Sequence, residues 1–206
     1  METFLIVVLA FLGGAGFGWW RRLAAETTGE RAVRHRLMDE FGSQGAHLLN
    51  NVTIPCEAGT TQVDHILLSR RGVFVIESKH YTGCIFASDK SAKWTQVIYK
   101  VKNTFQNPLR QNYKHSTEVR KILEFLPSDL VHSAVVFTGD AEFKTAIPNG
   151  VFGLDGLVGH IRSFRDDSLS ENRVQFCVGR LECKRLALTG ATDVEHQAHL
   201  TNRFRN

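Results

Sequence analysis

The chain has 206 residues, of which 43% are hydrophobic and 22% are charged, so it can build a folded core and is not a disordered tail. Its net charge of +4 and pI of about 9.0 permit a polyanionic partner without requiring one. The four cysteines form no C-x-x-C pair, which excludes the usual spacing of a structural zinc site.

The first segment, residues 4–20, is uncharged and about as long as the shortest helices that span a bilayer, roughly 17 residues. Trp19 and Trp20 close it, and Arg21 and Arg22 follow, whereas only Glu2 is charged before it. The positive-inside rule then predicts a single-pass anchor over residues 1–23, with the following domain in the cytoplasm. A cleaved signal peptide would need a basic stretch before the apolar run, which is missing.

The next elements follow from hydrophobic periodicity and turn residues. Thr27 or Thr28 is expected to cap a helix that ends at Gly42. Strands are predicted at residues 48–54, 62–69, 73–79, 84–87, 94–100, 131–138, 150–154 and 174–178, and helices at 108–126, 157–164 and 193–204. This order predicts an α/β fold with one mixed β-sheet flanked by helices.

The strand at 73–79 carries the chemical signal. Its first four residues are apolar on both faces, which predicts a central strand, yet it ends in Glu77-Ser78-Lys79. Because side chains alternate along a strand, Glu77 and Lys79 share one face. Burying such charges costs several kcal/mol unless they are paired or bind a metal.

A second carboxylate is expected beside Glu77. The tight turn at residues 70–72 makes the flanking strands antiparallel neighbours, which places Asp64 roughly opposite Glu77. Two adjacent carboxylates repel unless a cation lies between them, and Mg²⁺ is commonly held by one or two carboxylates with waters and substrate phosphate. Lys79 would then act on a water or on the phosphate, which favours phosphodiester hydrolysis. The alternative is an ordinary surface ion pair, with Asp64 as a cap near a turn.

Several motifs together resemble the NERD (nuclease-related) domain over roughly residues 29–164. They are Gly29-Glu30, Gly59-Thr60, Gln62-Val63-Asp64-His65-Ile66, Gly72-Val73-Phe74-Val75-Ile76-Glu77-Ser78-Lys79 with Tyr81 and Gly83, Trp94, Gln96, and Asn107-Pro108-Leu109 with Gln111-Asn112. The family is placed with the PD-(D/E)xK nucleases, so the resemblance implies a restriction-endonuclease-like sheet and a Mg²⁺ or Mn²⁺ cofactor. It further implies metal binding by Asp64 and Glu77, with the Ser78 carbonyl as a third ligand and Lys79 as the catalytic lysine. Glu30 would be the first-helix carboxylate that helps hold the metal or a water.

Other side chains receive weaker assignments. Gln62, Gln96 and Gln111 are candidates for supporting the site or contacting substrate, with ordinary surface hydrogen bonding as the alternative. His65 is expected in the core and His115 in solvent. Tyr81 and Trp94 are expected to pack rather than stack on bases. Six basic residues could meet nucleic acid, anionic lipid or only solvent: Lys90, Lys93, Lys100, Lys102, Arg110 and Lys114.

The sequence therefore predicts an anchor at residues 1–23, a nuclease-like domain at 24–165 and an extension of unassigned role at 166–206. The expected function is metal-dependent hydrolysis of nucleic acid at a membrane, with DNA preferred over RNA and no zinc finger. Two alternatives keep the same fold without the chemistry: a nucleic-acid-binding module and a membrane-bound scaffold. The oligomeric state stays open.

Overall fold

A computed structural model of the protein describes residues 27–57 and 59–187. The predicted membrane helix at residues 4–20 and the predicted helix at 193–204 lie outside these ranges. Of the helices within them, none is both long enough and apolar enough to cross a membrane.

A five-stranded mixed sheet forms the centre of the fold. Its order is β1-β2-β3-β7-β9, with antiparallel pairing across β1, β2 and β3 and parallel pairing across β3, β7 and β9. The strands are β1 His47–Cys56, β2 Gly59–Ser69, β3 Gly72–His80, β7 Val131–Thr138 and β9 Val151–Phe152. The predicted turn at residues 70–72 is confirmed, since Ser69 pairs with Gly72, and β3 is the central strand as expected.

The remaining strands form a second mixed sheet, so the prediction of one sheet is wrong while the α/β class is confirmed. The order of this sheet is β6-β5-β4-β8. The strands are β4 Gly83–Phe86, β5 Lys93–Ile98, β6 Val101–Gln106 and β8 Ala141–Phe143. The strand predicted at 94–100 is in fact the first arm of a hairpin that turns at Tyr99 and Lys100. Hydrophobic pattern gives each strand but not its partner, which explains the error.

In the part of the chain that the structure describes, four α-helices flank the sheets: α1 Thr28–Phe41, α2 Pro108–Ile122, α3 Leu154–Arg162 and α4 Glu171–Lys184, with short 3₁₀ turns at Gly42–Gln44 and Ser128–Leu130. Thr27 caps α1 in a capping box with Glu30. Asn107 caps α2, and Pro108 occupies its first turn, where a missing N–H costs nothing. Both helix starts follow the sequence prediction.

The strand predicted at residues 174–178 is wrong, because this segment belongs to α4. Val174, Cys177 and Leu181 are buried at helical spacing, and a five-residue apolar window is too short to separate the two periods. The three side chains pack into the same core as β1, β2 and α2.

Apolar side chains of β3 enter cores on both sides of the first sheet. Val73 and Val75 face α2 and α4, whereas Phe74 and Ile76 face α1 and α3. A third cluster joins Ile85 and Trp94 of the second sheet to β7 of the first. Lys79 and Glu77 continue the face of Val75, so they lie on the side that carries α2 and the second sheet.

Candidate active site

Glu77 lies near the carboxyl end of β3, where β3 runs beside β7. Its side chain is buried, with 1% of the residue exposed, and it points to the α2 side of the sheet. Burial alone would raise the pKa of Glu77, but contacts with His115 and Lys79 hold that pKa below its ordinary value. Glu77 is therefore a carboxylate at neutral pH.

Asp64 stands where β2 separates from β3. The backbone pairing of β2 with β3 ends at His65 and Ile76. Beyond that point the Asp64 side chain links the two strands, because its Oδ2 accepts hydrogen bonds from the Ser78 backbone N–H at 2.8 Å and from the Ser78 hydroxyl at 3.1 Å. Burial, followed by the charge of Glu77, raises the pKa of Asp64 to about 7. Asp64 is thus near enough to Glu77 to feel its charge, and of the two carboxylates only Glu77 is fully ionised at neutral pH.

Lys79 bridges the strand to α2. Its Nζ donates to Oε1 of Glu77 at 2.5 Å and to Oε1 of Gln111 at 3.2 Å. Burial would lower the pKa of Lys79, but the negative charge of Glu77 and then of Asp64 holds it above its ordinary value. Lys79 is consequently an ammonium, suited to donating hydrogen bonds to anionic oxygen rather than to taking a proton.

His115 was expected in solvent, and that prediction is wrong. The side chain is buried on α2, with Nε2 3.3 Å from Oε2 of Glu77 and Nδ1 2.8 Å from the Thr61 hydroxyl. The buried stripe of α2 includes Asn112, His115, Ser116 and Val119, a helical spacing that the sequence already contains. Reading the polar residues of this helix with the same period as the apolar ones would have found His115.

Asn112 is a second residue at the site for which the sequence pattern predicted no role. Its buried amide donates to the carbonyls of Val75 and Ala134 and to the Ser133 hydroxyl, all at 2.8–2.9 Å. These bonds tie α2 to both β3 and β7. They fix the position of α2 along β3, and therefore where Gln111 and His115 lie relative to the end of that strand.

Glu30 comes from the other side of the sheet. Its carboxylate accepts from the Thr27 backbone N–H at 3.3 Å in the capping box, and it is close enough that its charge adds to the raised pKa of Asp64. The helix start reaches this end of the sheet because Gly29 has no side chain: a Cβ there would lie 2.6 Å from Oγ1 of Thr138. Glu30 is therefore near enough to affect Asp64 through its charge, although Glu30, Asp64 and Glu77 do not form a three-residue metal cluster.

The other two glutamines differ from Gln111. Gln62 lies two residues before Asp64 on the same face of β2. Gln96 belongs to β5, and its amide donates to the Thr82 carbonyl at 2.8 Å, so it links the second sheet to the segment after Lys79. Gln111 alone of the three contacts the lysine.

The packing predicted for Trp94, Tyr81 and His65 is confirmed. Trp94 is buried and donates its indole N–H to the Ser88 carbonyl at 2.7 Å. Tyr81 packs edge-to-face on Phe105, with ring centroids 4.6 Å apart. His65 is buried, and its Nδ1 lies 2.7 Å from Oδ1 of Asn50.

The carboxylates suit a hard divalent cation in the chemistry of their donors. Oε2 of Glu77 is buried without an aligned hydrogen-bond donor, and the repulsion from Glu77 that raises the pKa of Asp64 is relieved by positive charge. Across 27–57 and 59–187, no three His, Cys, Asp or Glu side chains are grouped to hold a metal by themselves. Mg²⁺ is usually bound by one or two carboxylates, and waters and phosphate oxygens complete its coordination shell.

A cavity of about 260 Å³ lies elsewhere, at the β2–β3 turn, and is lined by Phe41, Gln44, Ala46, Ser69, Arg70, Arg71 and Asp166. Arg71 is used structurally there, since it donates to the Phe164 carbonyl at 2.6 Å. The turn is at the opposite end of β3 from Glu77, so this cavity has no part in the carboxylate site.

Asp64, Glu77 and Lys79 thus come from two adjacent strands of the mixed sheet. Residues 25–138 match the family described as the nuclease-related domain, NERD. The match spans more than half of the chain, so the chain belongs to the NERD family, which falls in the PD-(D/E)xK superfamily.

An uncharacterized protein of Bacillus anthracis is 44% identical to the chain over 97 residues, covering 47% of this chain and 45% of that protein. The chain therefore spans less than half the length of this relative. None of the solved structures matches the chain.

Proposed function

We propose that the protein is a divalent-metal-dependent nuclease that hydrolyses nucleic-acid phosphodiester bonds. The observation that carries the proposal is the half-buried Asp64 near the buried Glu77, with the Lys79 ammonium 2.5 Å from Glu77 at the end of a central strand. Membership of a nuclease-related family supports it. DNA is the substrate that we expect.

In the proposed reaction, the anionic and the cationic residues have different roles. Asp64 and Glu77 would hold Mg²⁺ or Mn²⁺, with the Ser78 carbonyl as a third donor and Glu30 nearby. The cation, when bound, neutralises phosphate charge and lowers the pKa of a bound water. Lys79 donates to the phosphate oxygen that gains charge, which stabilises the transition state. Gln111 and His115 hold Lys79 and Glu77 in position, as residues behind a metal site commonly do.

We further propose that residues 4–20 anchor this domain in a membrane and that it faces the cytoplasm. The support is the uncharged run with Arg21 and Arg22 on one flank alone. Protease accessibility in inverted and right-side-out vesicles tests the orientation. Digestion of the domain only in inverted vesicles is expected, and digestion only in right-side-out vesicles contradicts the proposed side.

The nuclease proposal is tested with the full-length protein in detergent. Plasmid, single-stranded DNA and RNA are incubated with Mg²⁺, with Mn²⁺ and with EDTA. Glu77→Gln and Lys79→Ala should each reduce the cleavage rate by about a thousandfold or more, because each removes charge that acts in the transition state. Lys121→Ala serves as the control, since Lys121 is exposed and pairs with Glu118 on the outer surface of α2.

Two results would count against the nuclease. One is cleavage that persists in EDTA or in both site variants, which would assign the activity to a contaminant. The other is a folded parent that cuts none of the three substrates under any metal. Binding of nucleic acid without cleavage in that case would favour a non-catalytic member of the family.

A further inference from the structure

Positive charge is concentrated in one stretch of the chain. Residues 90–117 include Lys90, Lys93, Lys100, Lys102, Arg110 and Lys114 and contain no Asp or Glu, whereas the whole chain has a net charge of only +4. The rest of the protein thus carries more carboxylates than cations. An unneutralised stretch of this kind favours contact with a polyanion.

The fold gathers this stretch around the β5–β6 hairpin and the start of α2. Arg110 donates to the Lys90 carbonyl at 2.7 Å, and the Asn107 backbone N–H donates to the Ala92 carbonyl at 2.9 Å. These bonds hold the base of the hairpin against α2. All of β6 from Val101 to Thr104 is exposed.

The tip of the hairpin presents an aromatic ring. Ile98 pairs with Val101, so Tyr99 and Lys100 form the two-residue turn. Tyr99 is 98% exposed, and its φ of 52° is in the left-handed region. A bulky residue there costs of order 1 kcal/mol relative to glycine, which the turn would accept freely. The ring thus contributes nothing to the core and sits where another residue would fold better.

The strand before the tip runs along the segment that follows Lys79. Val97 pairs with Cys84, Gln96 donates to the Thr82 carbonyl, and Gly83 touches Val97 and Ile98 so closely that a Cβ would lie 2.6 Å from the Val97 carbonyl oxygen. Continued by two residues, this register brings Tyr99 to the level of Thr82. Thr82 follows Lys79 by three residues.

We propose that the β5–β6 hairpin binds single-stranded nucleic acid beside the catalytic carboxylates. Tyr99 stacks on an unpaired base, and Lys100 and Lys102 contact the phosphates of the same strand. A ring projecting from a hairpin tip needs an open base face, which a single strand offers and the interior of a duplex does not. This inference rests on the proposed nuclease function and adds its substrate class.

The test measures binding of a fluorescent single-stranded oligonucleotide, and of its duplex, to the full-length protein in detergent and EDTA. Tyr99→Gly fits the backbone of the turn, so its effect reports the ring and not a folding defect. It should weaken single-strand binding about 5- to 100-fold without changing the salt dependence. Tyr99→Phe, which keeps a stacking face, should stay within about twofold of the parent.

Substitution of a lysine should change the salt dependence of binding, which substitution of Tyr99 should not. Lys100→Ala should reduce the slope of log affinity against log salt by about 0.7, the value for one lost phosphate contact on a single strand. Phe176→Ala is the control for removing an exposed aromatic, since Phe176 is 60% exposed on α4, and it should change nothing.

The outcomes separate this inference from the nuclease proposal. If the parent cleaves nucleic acid and Tyr99→Gly binds single strands like the parent, the hairpin inference is wrong and the nuclease stands. If the parent neither binds nor cleaves any nucleic acid, both fail. If the hairpin variants lose affinity for phosphatidylserine vesicles and keep affinity for oligonucleotides, the surface binds lipid and the inference is overturned.

Discussion

At the residue scale, two carboxylates on neighbouring strands have been given different environments. Glu77 contacts an ammonium and a histidine ring, whereas Asp64 faces the charge of Glu77 and accepts two hydrogen bonds from Ser78. Their pKa values move in opposite directions as a result. Opposed shifts of this kind are common at functional sites.

Asp64 should make the folded state less stable as the pH rises, in the absence of divalent metal. Its pKa is about 7 in the folded state against an ordinary value of 3.8. The unfolded state therefore loses the proton first, and the free energy of unfolding falls between about pH 4 and pH 7. In EDTA at pH 8, Asp64→Asn should be more stable than the parent by about 2 kcal/mol, allowing for partial access of solvent. Urea unfolding measures the difference.

Glu77→Gln should lower the free energy of unfolding, in contrast to Asp64→Asn. It leaves the Lys79 ammonium buried without its partner, which costs about 3 kcal/mol. Asp39→Asn, an exposed change on α1, serves as the control and should leave the stability unchanged. A parent whose stability does not fall between pH 4 and pH 8 in EDTA would contradict the environment assigned to Asp64.

His115 should act on catalysis through Glu77. His115→Phe keeps the volume but removes both polar contacts, so metal-dependent cleavage should fall about 10- to 100-fold. His115→Gln keeps a donor near Glu77 and should recover part of the rate. Steady-state cleavage rates give the comparison, with the exposed His35→Gln as control. Equal losses in the Phe and Gln variants would point to packing alone.

At the element scale, α1 reaches the site because its first turn lies against the ends of β3 and β7. A Cβ on Gly29 would meet Oγ1 of Thr138 at 2.6 Å and Cβ of His80 at 2.7 Å. The Cβ of His80 is bonded directly to the backbone, so it cannot move away unless the backbone moves as well. The glycine therefore sets how closely Glu30 approaches Asp64.

Gly29→Ala should push the start of α1 outward and destabilise the fold by about 1–3 kcal/mol. Gly179→Ala is the matched change in α4, where a Cβ would meet nothing within 4 Å. That variant should be more stable by about 0.5–1 kcal/mol, because alanine favours the helix. Melting temperatures should shift in opposite directions. A shift of the same sign in both would show that the close contact at Gly29 is not limiting.

At the scale of the whole molecule, α4 completes the core although it lies beyond the segment that matches the family. Val174, Cys177 and Leu181 are buried with β1, β2 and α2. The Leu186 backbone N–H donates to the Thr53 carbonyl at 2.8 Å. The division of the chain at residue 165 stays a prediction, and this packing provides a way to test it.

Removing residues 166–206 should abolish cooperative unfolding. It removes the buried side chains of Leu169, Val174, Cys177 and Leu181. Burial of an apolar side chain is worth about 1.5–3 kcal/mol, so the loss is a large part of the stability of a typical domain. A chain that ends at residue 187 keeps these contacts and is the control. Thermal unfolding followed by circular dichroism distinguishes the two. A chain ending at 165 that melts like the control would make 166–206 a separate unit.

Local pattern was enough for several features. The run of β-branched and aromatic residues before Glu77 predicted the central strand, and the turn at residues 70–72 predicted the pairing of β2, which carries Asp64, with β3, which carries Glu77. The caps of α1 and α2 were readable because capping uses residues within three positions of each other. These features depend on neighbours in the chain.

The sequence by itself determined the strand that carries Glu77 and Lys79, the partner that carries Asp64, and the family through its motifs. Only the tertiary structure decided that β4, β5, β6 and β8 leave the first sheet, that His115 turns inward to Glu77, and that α4 belongs to the core. The physical reason is the distance along the chain over which each interaction acts. Alternation and turns act over a few residues, whereas strand partners and the buried face of a helix depend on which distant surfaces exclude water together.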